Sequence, residues 1–395
     1  MATSHDPRDT APPRAALPLA ALSLTALLLT ILAACGSPGP ASATLAPTRA
    51  PLLVGGDISA LARLELGGAV FRDGDAPKDA IAAMMAHGSN AFRLRLFVSP
   101  DGSEVQVNDL PYTVTLAKRI RAAGATVMLD IHYSDTWADP QHQITPAAWQ
   151  ALDIDGLETR VEEYTVEVIT AMKSAGVLPV IIGVGNEIDG GLLWPLGHLV
   201  RGASDSLAQQ ERLGRLLRAG VRGVRRATAP ADSVRVMIHY SQGATAARTR
   251  WFFDIITAQR VPFDIIGISY YPSWHGTLSS LRESLRETSA WYGKDIMVVE
   301  TAYPWRAGWT PEGTSPEAMS WPLTMAGQAA FLRDVVDAVA AVPDGRGTGV
   351  FWWYPEAIRV PGLPIWGDGA LALFDDAGRI LPAVSAFQRV PPGGR

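Results

Sequence analysis

The stretch VLPVIIGVGNEIDGGLLWP, Val177–Pro195, decides how the rest of the chain is read. Its leading run, Val177–Val184, carries no charge, and Asn186-Glu187 follow almost at once. A short, β-branched apolar run of this kind reads as a buried strand that delivers a carboxylate to its own C-terminal tip. Burial at such an edge raises a carboxyl pKa, because an apolar setting disfavours the charged form. A carboxylic acid that keeps its proton near neutral pH is what a general acid requires. Taken alone, Asn186-Glu187 would serve equally well as the cap of a following helix. A second stretch of the same form weighs against that, for Asp295–Glu300 (DIMVVE) is another apolar strand ending in a glutamate.

The chain has 395 residues, 48% of them hydrophobic, enough for one large barrel-type domain. Its net charge of −5 and the lack of any Lys/Arg run give no footprint for a nucleic-acid partner. The 12 tryptophans suit both core packing and stacking on the flat apolar faces of sugar rings. A single cysteine, Cys35, rules out an intrachain disulfide framework. Upstream of it, Arg8 and Arg14 precede the apolar run Ala15–Ala34, which closes on Leu32-Ala33-Ala34-Cys35. That is the layout of a secretory signal, and the Cys at the cleavage point matches a bacterial lipobox. The sequence therefore predicts a lipoprotein signal peptide over residues 1–34 and lipidation of Cys35. It predicts an exported, surface-exposed protein held to a membrane by acyl chains rather than by a span. Residues 35–51, rich in Pro, Ala, Ser and Thr, read as a flexible tether. Residues 52–395 read as one domain, with no second linker and no short repeat.

That domain alternates strand-like and helix-like segments, the pattern of a parallel α/β fold. Strands are expected at Leu52–Ile58, Ala91–Val98, Thr126–Ile131, Val177–Val184, Val234–His239, Phe263–Ser269, Asp295–Glu300 and Gly349–Trp353. Helices are expected near Lys78–His87, Tyr112–Ala123, Leu157–Ala175, Ser206–Ala227, Ala247–Ala258, Leu278–Tyr292 and Gln328–Ala341. Eight strand–helix units in one domain predict a (β/α)8 TIM barrel, whose reactive groups sit on the loops after the strand C-termini. Each strand here ends in polar or aromatic residues: Asp57, Arg95, His132 to Asp135, Asn186-Glu187, His239-Tyr240, Tyr270-Tyr271, Glu300 and Trp352-Trp353.

Two carboxylates at the ends of strands four and seven fit glycoside hydrolysis. One donates a proton to the leaving oxygen and the other attacks the anomeric carbon. Asn186 is placed to bond the sugar 2-OH, and Arg95 and Tyr271 are the expected donors to an ionised Glu300. Trp353 is the expected floor of a sugar subsite. The histidines His132, His142, His239 and His275 lack the spacing of a zinc signature, so no catalytic metal is expected. Asp73-Gly74-Asp75 opens like a calcium loop but lacks the later ligands, and reads as a turn.

The segments GGDISALARLE (55–65), NAFRLRLFVSP (90–100), LDIHYSDTWADPQHQITPAAW (129–149), GNEIDGGLLWP (185–195), DIIGISYYPSW (264–274), VVETAYPW (298–305), GVFWWYP (349–355) and ALFDDAGRILP (372–382) resemble glycoside hydrolase family 53. The family comprises the arabinogalactan endo-β-1,4-galactanases, and the match runs in order over nearly all of the globular part. HYSDTWADP and GNEI-x-x-GLLWP are its most specific signatures. The resemblance implies a (β/α)8 barrel and a retaining double displacement on β-1,4-galactan, with Glu187 as acid/base and Glu300 as nucleophile. It also implies sugar contacts from Arg95, His132, Asn186, Tyr271 and Trp353, and a cleft loop carrying Asp135 and Trp137.

The chain departs from the family at Trp352–Ala357 (WWYPEA), with Tyr354 where a Glu is usual and Ala357 where a Trp is usual. The loop after strand eight, Arg359–Gly369, is short, so the calcium that some members bind there is not expected, and no cofactor is. A polysaccharide-cleaving enzyme of this kind is expected to act as a monomer. Two other readings remain open from the sequence: an exo-acting enzyme on the same barrel, or a surface glycan-binding lipoprotein without catalysis.

Overall fold

The computed structural model describes residues 51–311, 314 and 319–388; the leader, Cys35 and the tether up to residue 50 lie outside the described residues. Eight strands alternate with helices: β1 Leu53–Asp57, β2 Ala91–Leu96, β3 Thr126–Ile131, β4 Ile181–Val184, β5 Arg235–Tyr240, β6 Ile265–Tyr270, β7 Asp295–Thr301 and β8 Gly347–Trp353. All pair in parallel, and β1 meets both β2 and β8, so the sheet closes on itself. Only the fourth strand starts well inside its expected run. Pro179 has no N–H to give to a ladder, and pairing begins beyond it.

The outer ring is α1 Ala80–Ala86, α2 Leu110–Ala122, α3 Ile154–Ser174, α4 Ser206–Ala227, α5 Ala246–Ala258, α6 Leu278–Tyr292 and α7 Met325–Ala340. Side-chain caps fix where several of them begin. Asp109 accepts from the Tyr112 N–H, Asp153 from Gly156 and Thr324 from Gly327. The eighth unit differs from the expectation: a 3₁₀ segment, Pro382–Phe387, packs on α7 where an α-helix would stand. Asp73-Gly74-Asp75 forms the turn of a small hairpin, Arg72–Asp73 with Ala76–Pro77, and Gly74 takes a φ of 64° there. Among the described residues no helix is long and apolar enough to cross a membrane.

Strand alternation divides the side chains into two populations. Outward residues such as Phe92, Leu94, Leu129, Ile182, Ile238 and Ile268 pack under the helices in the main core. Inward residues fill the barrel in layers. The lower layer is apolar, made by Ala91, Met128, Ile181, Met237, Ile265, Met297, Val299 and Phe351. The inward residues above it, Asp57, Arg93, Asp130 and His239, are polar and have no measurable exposure, all at 0%. The barrel is thus an apolar plug carrying a polar floor. That floor requires Gly183 on β4, where a Cβ would stand 2.7 Å from Asp130 Oδ1.

One irregularity positions the chemistry. Ile268 of β6 pairs with Val298, but the next residue, Ser269, pairs with Glu300, so β7 holds one residue more at this point. Met297 and Val299 both point into the barrel. Strict alternation would send Glu300 outward among the helices. The bulge at Val299 turns Glu300 inward as well, a device common beside active sites.

Candidate active site

At the C-terminal end of the barrel a cleft of about 700 Å³ opens over the polar floor. Glu187 and Glu300 lie on its base, with Asn186, Tyr271, Trp137 and Trp353 around them and Trp274 and Trp366 at the rim. One carboxylate oxygen of each glutamate and a ring nitrogen of His239 all lie within 4.8 Å of one another. Glu300 is 4% exposed. Its Oε1 accepts from Arg93 Nη1 at 2.7 Å and its Oε2 from the Tyr271 hydroxyl at 2.9 Å. Two donors on two oxygens are what an ionised carboxylate accepts.

Glu187 is in the opposite setting. Burial pushes its pKa well above the usual carboxylate range, and the like charge of Glu300 adds to the rise. A hydrogen bond of 2.5 Å from the Ser269 hydroxyl partly opposes it. Glu187 also adopts a left-handed backbone, φ 45° and ψ 53°, which costs a non-glycine residue about 1–3 kcal/mol. Neighbouring loops hold that turn in place. Gln143 Nε2 donates to the Asn186 carbonyl at 2.8 Å and to that of Glu187 at 3.3 Å. Asp189 accepts from both the N–H and the hydroxyl of Ser241, at 2.9 and 2.7 Å. Two carboxyls in such different surroundings, one held by two donors and the other with its pKa raised by burial, suit division into an acid and a nucleophile.

Beneath them Arg93 binds the floor together. Its guanidinium reaches Asp130, Asn186 Oδ1 at 2.6 Å and Glu300, with Asp57 at 3.3 Å. Burial alone would raise the Asp130 pKa, but the Arg93 charge and the neighbouring His239 together outweigh it and hold the carboxyl far below its ordinary value. This corrects the expectation from sequence, which placed Arg95 beside Glu300. The two arginines do share the inward face of β2, but Arg93 makes that contact. Arg95 lies under the cleft wall, bonded to Asp57 at 3.1 Å and to the Tyr354 hydroxyl at 2.8 Å. Its guanidinium is boxed by Trp137, Trp353 and Tyr354, whose ring centres are 4.5, 5.0 and 4.6 Å away. It sets the cleft aromatics from below.

Two further expectations shift in the same way. Asp135 does not face the cleft: its carboxylate accepts from the Ser99 and Ala147 N–H groups at 3.0 and 2.8 Å and folds the loop after β3. His132 is 1% exposed and stands edge-on to Phe97 and Trp137. Burial lowers its pKa to about 3, so it is a neutral ring, and its Nδ1 accepts from the Ala138 N–H at 3.2 Å. Both residues support Trp137 and its loop rather than line the cleft. Glu187, His239 and Glu300 have the composition of a metal site, but their facing atoms already bond to Ser269, Asn186, Arg93 and Tyr271. Arg93, Ser269 and the rim residues Trp274 and Trp366 were not singled out from sequence. The inward alternation of β2 and β6 is the signal that would have found the first two.

A closed (β/α)8 barrel whose mouth opposes two carboxyls in different settings, walled by tryptophans, defines a glycoside hydrolase. Residues 53–387 match the family described as glycosyl hydrolase family 53, and the chain belongs to that family. A probable arabinogalactan endo-beta-1,4-galactanase A of Aspergillus terreus is 39% identical over 319 residues, covering 78% of this chain and 87% of that protein. The arabinogalactan endo-beta-1,4-galactanase of Thermothelomyces thermophilus is 34% identical over 317 residues, covering 78% and 90%. A structure from a study of two fungal beta-1,4-galactanases superposes with a TM-score of 0.77 at 31% identity, over 86% of this chain and 100% of that one. The family 53 catalytic domain of Ignisphaera aggregans gives a TM-score of 0.77 at 30% identity, over 86% and 98%.

The departure at Trp352–Ala357 also has a structural consequence. Tyr354 takes a left-handed φ of 56° and offers its hydroxyl to Arg95, and Glu356, two residues on, turns into the core at 0% exposure. Its Oε1 accepts from the Ala60 N–H at 3.0 Å, whereas Oε2 has no partner. Burial, then the nearby Asp57 charge, pushes its pKa up to about 8. The folded pKa lies above the unfolded one, so this group's contribution is full below about pH 4.5 and is lost as pH rises toward about 8. Glu356→Gln keeps the acceptor for Ala60 and removes the titration. Its melting temperature is expected to exceed that of the native protein at pH 7.5 and to match it at pH 4. A melting difference that does not change between those two pH values would sink the assignment.

Proposed function

We propose that the protein is an endo-β-1,4-galactanase that cleaves the β-1,4-galactan of type I arabinogalactan and pectin with retention of configuration. Glu187 is the acid/base and Glu300 the nucleophile. In the first step a Glu300 oxygen forms a bond to the anomeric carbon. The glycosidic C–O bond breaks, and its oxygen takes the Glu187 proton. In the second, Glu187 takes a proton from water, whose oxygen displaces Glu300 from the sugar. The observation that carries this reading is the approach of the two carboxyls, with oxygens within 4.8 Å. An approach this close suits direct attack, as in retaining enzymes whose carboxyls stand roughly 5–5.5 Å apart, rather than the about 6.5–9.5 Å of inverting enzymes. Asn186, with its amide fixed between Arg93 and the Ala138 carbonyl, would face the 2-OH of the bound sugar. Trp353, Trp137 and Tyr271 would stack against or bond its ring, with Arg95 and His132 acting from beneath.

Incubation with linear β-1,4-galactan is expected to give a ladder of galacto-oligosaccharides that shortens with time. Galactose alone from the outset would point instead to exo cleavage. Glu300→Ala is expected to lose the ladder, a drop of at least about 10³ in kcat, while still binding galactan. Wild-type turnover by that variant would remove Glu300 from the role.

The chemistry uses only the protein's own carboxyls and calls for no cofactor. In the short loop after β8, Arg359 bonds Asp368, so a calcium ion there would have to displace the chain's own cation. Galactan hydrolysis and the melting temperature are therefore expected to be unchanged by a calcium chelator. A loss of either that added calcium restores would refute this.

Export and anchoring rest on the sequence: the apolar run Ala15–Ala34 and the lone Cys35 support a lipoprotein tethered to the membrane, and a polysaccharide-cleaving enzyme needs no partner, so it acts as a monomer. Expressed in a bacterial host, the native chain is expected in the membrane fraction and Cys35→Ser in the soluble exported fraction. Equal partition of the two would exclude the lipid anchor.

A further inference from the structure

Ser269 and His239 face Glu187 from beneath, and counting hydrogens shows that one hydroxyl stands between two acceptors. The amide of Asn186 is fixed in sense: Oδ1 accepts from Arg93 Nη2 at 2.6 Å, and Nδ2 donates to the Ala138 carbonyl at 2.8 Å. A flipped amide would set its NH₂ against the guanidinium. His239 Nδ1 lies 3.0 Å from that Oδ1 and 3.6 Å from Asp130 Oδ2. Both neighbours only accept, so Nδ1 carries the hydrogen, and in that tautomer Nε2 presents a lone pair. The partner of Nε2 is the Ser269 hydroxyl at 2.9 Å, and the same hydroxyl lies 2.5 Å from Glu187 Oε1. Ser269 has one hydrogen and two claimants for it. The ring and the hydroxyl are both sealed from solvent, at 0% exposure, so no bulk water resolves the conflict.

We propose that Ser269 and His239 form a hydroxyl switch that positions the Glu187 proton: Ser269 donates to His239 Nε2 while Glu187 is an acid, and turns to Glu187 Oε1 when Glu187 is a base. The inference rests on the acid/base role given to Glu187 above. With Glu187 protonated, its O–H donates to Ser269 Oγ, and every hydrogen in the chain has an acceptor. On substrate binding the Glu187 O–H turns from Ser269 Oγ to the glycosidic oxygen, and once that oxygen has taken the proton the Ser269 O–H swings through one rotation and supports the new carboxylate. The Ser269 hydrogen never leaves its oxygen, and His239 gains no proton. In the second step Glu187 takes a proton from water and the hydroxyl swings back. His239 therefore opposes ionisation of Glu187 by holding the hydroxyl away, and Ser269 assists ionisation by donating. Each is a positioning residue that acts through Glu187.

The remaining charged groups around Glu187 are Arg93 on β2, Asp130 on β3, Glu300 on β7, the Tyr271 hydroxyl and Asp189 on its own loop. Ser269→Ala and Ser269→Thr leave all of them in place, whereas His239→Phe also removes a neighbour of Asp130 and Asp189, so the Ser269 pair is the primary comparison. Two substitutions should then move the basic limb of the kcat/KM profile on galactan in opposite directions. Ser269→Ala removes the donor to the carboxylate and is expected to raise the limb by about half to one pH unit. His239→Phe keeps a ring in the space but removes the lone pair, leaving the hydroxyl to Glu187 and lowering the limb by a similar amount. In the double variant His239→Phe has no hydroxyl to release, so the limb stays where Ser269→Ala puts it. Ser269→Thr restores the native profile. Glu187→Gln, followed on an aryl β-galactoside with a good leaving group, is expected to have lost the limb. Shifts in one direction, or no shift for Ser269→Ala, overturn the switch when Glu187→Gln has lost the limb. A limb that survives in Glu187→Gln overturns the role of Glu187 itself. Should His239→Phe fail to fold, Ser269→Ala against Ser269→Thr decides the matter alone.

Discussion

The guanidinium of Arg93 is the contact on which the rest of the site depends. It is fully buried and bonds Asp130, Asn186 and Glu300, with Asp57 close by. Its nearest partners come from strands β1, β3 and β7 and from the turn after β4, so one side chain ties the barrel across its width. Buried charges are tolerated when each is paired and hydrogen-bonded, and deleting one partner of such a pair costs about 3–5 kcal/mol. The cluster is therefore best understood as a fixed electrostatic frame. Arg93 offsets the negative charge that Asp57, Asp130 and Glu300 bring together, and it sets the orientation of the Asn186 amide.

Around that frame the two cleft carboxyls, Glu187 and Glu300, are made different by what surrounds them rather than by what they are. Glu300 receives a guanidinium and a phenol. Glu187 receives one hydroxyl, which another group also claims, and it stands close to a like charge. The left-handed backbone at Glu187 is maintained by Gln143 from one loop and by the Asp189–Ser241 pair from another. Strain of that kind persists only where the surroundings over-determine it. Below the cleft, Arg95 does for the aromatic wall what Arg93 does for the carboxyls, holding Trp137, Trp353 and Tyr354 by their faces.

Much of this was legible in the residues. The period of the apolar runs yields eight strands and seven of the helices close to their observed bounds, because burial on both faces of a barrel strand imposes a continuous hydrophobic run. Glu187 and Glu300 stand out because each breaks such a run at its C-terminal end. Elsewhere the pattern misleads. Asp135 and His132 lie in the segment most specific to the family, yet one folds the loop and the other underlies Trp137. Proximity in sequence to a cleft residue carries no information about which way a loop side chain turns.

The sequence by itself determined the (β/α)8 architecture, the end of the barrel that carries the chemistry and the two carboxyls that meet there. These follow from local periodicity, and periodicity is a property of neighbours in the chain. Only the tertiary structure decided that Arg93 rather than Arg95 meets Glu300 and that a bulge at Val299 turns Glu300 inward. It alone brought Ser269 and His239 beneath Glu187. Those outcomes depend on the stagger of strands around a closed barrel and on the reach of side chains across it. Arg93 and Glu300 are 207 residues apart in sequence, and no local pattern spans that distance.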